Sequence, residues 1–172
     1  MKVFLGGTCN ESTWRDKLIP LLNIDYFNPV VPDWTPECMA EEILQRETCD
    51  YCLYVITPKM TGVYSIAEVV DDSNKRPEKT LFCVQAEDDE HYFTTGQMRS
   101  LGQVGKMVEA NGGKLFQALS HAADYLNGIA QQQEDQDGRA VGQFNQEDQN
   151  KRWMMEMQMA QNRLREHKEN LT

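Results

Sequence analysis

Hydrophobic and polar positions in this chain fall into two alternating patterns: short continuous apolar runs, and stripes spaced by three or four residues. KVFLGG (2–7) is a run closed by two glycines and predicts a buried strand entering a loop. TWRDKLIPLL follows as a helix, with Ser12 as its expected N-cap and Pro20 disturbing its end. DYFNPVVPDW (25–34) starts as a strand and becomes a proline-broken loop. Over 36–49, Pro36 at the start and Met39, Ile43 and Leu44 on one face predict a helix. DYCLYVITP (50–58) is the strongest strand pattern, apolar and aromatic and closed by proline. Gly62 then opens a helix whose apolar stripe is Val63, Ile66, Ala67 and Val70. TLFCVQ (80–85) predicts another buried strand, and 86–100 reads as polar and irregular. A short helix, a last strand near 114–116 and a helix over QALSHAADYLNGI complete the pattern.

Strands alternating with helices predict an α/β domain with a mainly parallel sheet. Five strands within residues 1–128 fit a flavodoxin-like, doubly wound parallel sheet. In such a sheet the site lies beyond the carboxyl ends of the strands, at the topological switch point. The loops expected there are GGTCNES, NPVVPDWTP, TPKMTGVYS and QAEDDEHYF.

Residues 129–150, rich in Gln, Asp, Glu and Gly, read as a flexible polar linker. Residues 151–172 resume a helical pattern, predicting a C-terminal helical extension. Trp153, Met157, Ala160, Leu164, His167 and Leu171 follow a heptad-like spacing. That seam either docks on its own domain or pairs with a neighbouring subunit, and the second option predicts a homo-oligomer.

The formal net charge of −10 argues against a nucleic-acid polymer as partner, because phosphate backbones need a basic surface. It leaves room for a small nucleoside or nucleotide. No apolar stretch is long enough to span a bilayer, and the start lacks a signal-peptide pattern. With five cysteines, an odd number, the expectation is a cytoplasmic protein with reduced thiols. Cys49 and Cys52 form one CxxC, without a second pair or a nearby histidine; buried thiols are the expectation, over a zinc or redox site. His91, His121 and His167 are scattered, so no metal and no cofactor is expected.

The chemistry-bearing residues are carboxylates. Glu68 lies off the apolar stripe of its helix, within reach of Tyr64 and Ser65, which could orient it. It reads either as a solvated carboxylate or as one aimed at a sugar carbon from a helix that follows the strongest strand. The helix N-terminus is expected to lower its pKa and keep it ionised. Glu42 reads either as the i,i+4 partner of Arg46 on an exposed face or as a second acid in the same crevice.

KVFLGGT, NPVVPDW, EEILQRETCDYCLYVITP and above all TGVYSIAEVV, in this order, resemble the nucleoside 2-deoxyribosyltransferase superfamily. The resemblance is closest to the deoxyribosyltransferase-like branch frequent in bacteria and their phages, and spans residues 2–128. It implies a flavodoxin-like fold and attack on C1′ of a deoxyribose by Glu68. A covalent sugar–enzyme then passes to a second base or to water. It implies that Glu42, eight positions before Asp50, binds substrate or manages the proton of the departing base. It places Phe4 where characterised transferases have a hydroxylated aromatic. One departure is Gly62, where many transferases carry an aspartate, six positions before the nucleophile.

Asp33 and Trp34 could offset that change, the indole by stacking on a base and the carboxylate by accepting from an amine or hydroxyl. Trp34 also reads as a partly buried loop aromatic. Gly6, Gly7 and Thr8, with Ser12 and Thr13 at a helix start, offer an anion site or simply a tight turn. Arg15 could assist a phosphate or be a surface charge. The candidate site is therefore Glu68 and Glu42 as catalytic residues, with Phe4, Gly6, Gly7, Thr8, Asp33, Trp34, Gly62, Tyr64 and Ser65 as substrate-binding residues. The competing expectation is a non-catalytic nucleotide- or ribose-binding sensor that self-assembles.

Overall fold

The computed structural model describes residues 1–9, 11–33 and 35–136. It divides the chain into Met1–Ala130 and Gln131–Thr172. In the first unit, β1 (Lys2–Gly7) leads to α1 (Trp14–Leu18), a 3-10 turn (Ile19–Leu21) and β2 (Asp25–Phe27). Helix α2 (Pro36–Thr48) precedes β3 (Tyr51–Ile56), then come α3 (Tyr64–Lys75), a 3-10 turn (Pro77–Lys79) and β4 (Thr80–Val84). A small hairpin, β5 (Glu87–Asp88) with β6 (His91–Tyr92), leads into α4 (Thr95–Asn111) and β7 (Lys114–Phe116). Helical backbone covers 119–130 (α5), and the described residues of the second unit, 131–136, are helical too. Eight residues expected in the polar linker, 129–136, are therefore helix; the remainder of the linker and the 151–172 seam lie outside the described residues.

The main sheet has the order β2-β1-β3-β4-β7, and every pair in it is parallel. This is the flavodoxin-like order, with helices on both faces. The strands alternate strictly between two cores, as their period of two requires. Val3, Leu5, Leu53, Val55, Leu81 and Cys83 pack on one side with Trp14, Leu18 and Leu126. Phe4, Cys52, Tyr54, Ile56, Phe82 and Val84 pack on the other with Val69, Leu101 and Val108. Burial on both faces explains why these strands read as continuous apolar runs.

Three local expectations change. Helix α1 is only five residues long; its N-cap is Thr13, and the Ser12 hydroxyl instead meets the Asp88 carboxylate of the hairpin. The region expected to be irregular holds that hairpin and the first turn of α4, which a capping box of Thr94 and Gln97 fixes. The third change is the sidedness of α2 and α3. Helix α2 has no buried residue, and its Met39, Ile43 and Leu44 are each 50% exposed. In α3 the buried positions are Glu68, Val69, Asp72 and Ser73, while Val63 and Ala67 of the expected stripe are exposed.

Candidate active site

The chain leaves β1 toward β2 on one side and returns to β3 on the other, so a crevice opens where these two strands end. The strands approach closely there. A Cβ on Gly7, whose φ is +116°, would lie 2.0 Å from the Val55 carbonyl oxygen. A Cβ on Gly6 would lie 2.7 Å from the Tyr54 ring. Thr8 continues the join: its N–H donates to the Val55 carbonyl at 2.9 Å, and its hydroxyl accepts from Thr57 N–H at 3.0 Å. These contacts give both glycines and Thr8 a backbone role, while each also faces a cavity.

A cavity of about 180 Å³ is lined by Gly6, Gly7, Cys9, Arg15, Pro29, Glu42, Tyr64, Ser65 and Glu68. A second, of about 110 Å³, shares Gly7, Cys9, Tyr64 and Ser65 with it and adds Thr8, Met60 and Gly62. Both are small beside the ~300–1,000 Å³ of sites for drug-sized ligands. Nine residues besides Glu68 and Glu42 are expected to bind substrate. Gly6, Gly7, Thr8, Gly62, Tyr64 and Ser65 line these cavities. Phe4 does not: it is fully buried beneath them, its ring 6.0 Å from that of Phe27 and 6.2 Å from that of Tyr54. Asp33 is exposed and outside the lining, and Trp34 lies outside the described residues.

Glu68 is only 6% exposed, so it is not a solvated surface carboxylate. Tyr64, at 72% exposed, and Ser65 stand at the cavity wall, but the hydrogen bond that orients Glu68 comes from Arg46. Arg46 Nη1 donates to Glu68 Oε1 at 3.0 Å. The same guanidinium grips Asp72, with Nη2 to Oδ1 at 2.7 Å and Nε to Oδ2 at 3.0 Å. Asp72 has no exposure and also accepts from Arg76 Nη2 at 2.7 Å and from the Tyr54 hydroxyl. Arg46 thus makes its ion pairs across to α3 instead of along α2 to Glu42.

Burial pushes the Glu68 carboxyl up to about 7. Arg46 opposes this, while the charges of Glu42 and Asp72 add to it. The expectation that the helix N-terminus lowers its pKa is not met, since desolvation by burial is the largest influence on this carboxyl. Glu42 is also raised, by burial, against the pull of Arg46 and Arg15. Burial raises the cost of the charged form at Asp72 too, yet the hydrogen bonds from Arg46, Tyr54 and Arg76 hold it below the usual carboxylate range.

Arg15 is 4% exposed and forms no surface charge. Its guanidinium ties the end of β1, donating to the Leu5 carbonyl at 2.9 Å and the Thr8 carbonyl at 2.8 Å, and lies over the Trp14 ring. Of the two readings of this loop, the tight turn is supported by the close approach at Gly7, and the Ser12 hydroxyl is bonded to Asp88. All five cysteines are free; Cys49, Cys52 and Cys83 are buried and Cys9 is exposed in the crevice. Among the described residues no group of three or more His, Cys, Asp or Glu is placed to hold a metal ion. Among them, too, no helix is long and apolar enough to cross a membrane.

Residues 1–87 match the family model described as nucleoside 2-deoxyribosyltransferase like, a span that includes every residue lining both cavities. The chain belongs to this family. No curated protein and no solved structure matches it. Membership points to glycosyl transfer on nucleosides, with a small-molecule nucleoside as substrate.

Arg46, Asp72 and Tyr54 in the ion-pair network, with Cys9, Pro29 and Met60 on the cavity walls, are the site residues that sequence reasoning missed. A signal was present for part of this set. Glu68, Asp72 and Arg76 recur at intervals of four on one helix face, a charged row that marks either a solvated side or a buried ion-pair network.

Proposed function

We propose that this protein cleaves or transfers the N-glycosidic bond of a (deoxy)nucleoside or nucleotide through a sugar ester of Glu68. The observation that carries the reading is that Glu68, buried at the β1/β3 switch point, shares one cavity wall with Glu42. A Glu68 carboxylate oxygen forms a bond to C1′ while the C1′–N bond breaks, its electron pair leaving with the base. Glu42, whose burial extends the pH range over which it keeps a proton, delivers that proton to the departing nitrogen. A second base, or water, then attacks C1′ and returns its proton to Glu42 while Glu68 is released. Gly62, Tyr64 and Ser65 at the cavity wall are in place to contact the sugar or the base.

The test is to incubate the protein with deoxynucleosides and deoxynucleotides and to follow free base by chromatography. Base release that Glu68→Ala abolishes, with a sugar adduct on the wild-type Glu68 peptide by mass spectrometry, supports the reading. Release that survives Glu68→Ala overturns it.

The second reading is ligand binding without turnover. Its support is the open space at Gly62, where no atom lies within 4 Å of a built Cβ and where the family resemblance expects a carboxylate. Ligand binding by a wild-type protein that releases no base decides for it. In both readings the five free thiols support a reducing, cytoplasmic setting, and the outward apolar row of α2 supports self-association of the chain.

A further inference from the structure

Helix α2 presents its polar side to the body of the protein. Glu42 and Arg46 are one turn apart on that side, Glu42 on the cavity wall and Arg46 below it. The Arg46 guanidinium hydrogen-bonds two carboxylates of α3 in unequal ways, with Asp71 a looser ion-pair partner at 3.7 Å. Asp72 receives two of its nitrogens, at 2.7 and 3.0 Å, and is itself fixed by Arg76 and the Tyr54 hydroxyl. Glu68 receives one, at Oε1. No buried side-chain oxygen among the described residues lacks a hydrogen-bond partner, so Oε2, which has no such bond, keeps some accessible surface on a residue that lines the cavity.

We propose that Arg46 is the positioning residue of this site: anchored on Asp72, it holds Glu68 by Oε1 and leaves Oε2 for the sugar carbon. This rests on the reading of Glu68 as nucleophile. A fork seated on a fully buried carboxylate has little freedom to follow Glu68, so the nucleophile's orientation is fixed before substrate arrives. Because Arg46 and Glu42 share α2, the same anchor also sets the acid relative to the nucleophile. Arginine suits this position because its planar fork can bind one carboxylate with two nitrogens and still reach a second; a lysine ammonium can grip only as a point charge.

The test reads Glu68 directly, without substrate. In protein carrying 13C-labelled glutamate, the Glu68 carboxyl is assigned by its loss in Glu68→Gln and titrated by NMR. The groups facing it are Arg46 and Glu42 from α2 and Asp72 from α3, with Arg15 facing Glu42, and Tyr54 and Arg76 facing Asp72. In Arg46→Met the midpoint is expected to rise by about one pH unit or more, the usual effect of removing an opposite charge at this distance. Arg46→Lys should restore part of the difference, and serves as the second variant if Arg46→Met does not fold. An unchanged midpoint in either variant overturns the proposal. A shifted midpoint in a protein that releases no base leaves the positioning role standing and removes only the catalytic reading. Where base release is measured, Arg46→Lys should lower kcat at least tenfold with little change in KM; a loss confined to KM also overturns it.

Discussion

Arg46 and Asp72 meet as a two-point fork between α2 and α3, with N–O distances of 2.7 and 3.0 Å and Asp72 fully buried. Removing one partner of such a pair leaves a buried charge without compensation. Asp72→Asn is therefore expected to cost about 3–5 kcal/mol in urea denaturation. Asp71→Asn, whose partners are Lys75 at 2.9 Å and Arg46 at 3.7 Å on a half-exposed surface, should stay within about 1 kcal/mol. Equal costs would show that the fork contributes nothing particular.

Glu68 makes stability depend on pH. Its carboxyl is raised from 4.5 to about 7 by burial, so the folded chain binds the proton more tightly than the unfolded chain. This contribution is fully present below pH 4.5 and is lost as pH rises to about 7. Stability of the wild type relative to Glu68→Gln should fall across that window by at most about 3 kcal/mol. Denaturation curves at pH 5 and pH 8 check this, and a difference that grows with pH contradicts it. On the proposed mechanism, base release should have two limbs, rising as Glu68 ionises toward about pH 7 and falling as Glu42 loses the proton it must deliver.

The two glycines of the crevice should behave oppositely. Gly7→Ala forces a side chain into a left-handed backbone and against the Val55 carbonyl, and should cost more than about 2 kcal/mol. Gly62→Ala meets open space and should change stability by less than about 0.5 kcal/mol. Thermal unfolding of both variants distinguishes these outcomes.

Thiol labelling reports on the cavity without any turnover. Cys9 is exposed and lines both cavities, whereas Cys49, Cys52 and Cys83 are buried. Burial also pushes the Cys52 and Cys83 thiols up to about 12, which removes the reactive thiolate. A colourless-to-coloured disulfide reagent should react quickly at Cys9 and not at these three. Saturating deoxynucleoside should slow the Cys9 reaction several-fold, and an unchanged rate places the ligand elsewhere.

Self-association is tested on α2. Ile43→Glu and Leu44→Glu alter half-exposed side chains and leave the sheet untouched. They should lower the mass measured by light scattering with unfolding temperature preserved. A wild type of monomeric mass ends that expectation.

The sheet was legible because each central strand is buried on both faces, so Lys2–Gly7 and Tyr51–Ile56 announce themselves as unbroken apolar runs. The helices at the site were legible in position and not in orientation. Hydrophobic patterning assumes that apolar faces turn inward, and in α2 and α3 the inward faces carry Glu42, Arg46, Glu68 and Asp72. Ion pairing between two segments separated by 22 to 26 residues is invisible to a local period. Start signals gave a mixed return. The capping box at Thr94 and Gln97 was present in the sequence and unused, whereas Ser12, a good N-cap by type, was taken by Asp88 from a distant hairpin.

The inverted sidedness of α2 has a consequence for turnover. A helix with no buried residue clings to its neighbour by charge, and Arg46 supplies that grip. On the proposed chemistry, a sugar ester would make Glu68 neutral, so one of the two hydrogen-bonded handholds would disappear while Asp72 keeps the other. The latch would then be tightest before reaction and slacken at the step when a spent base must leave and a new acceptor must enter.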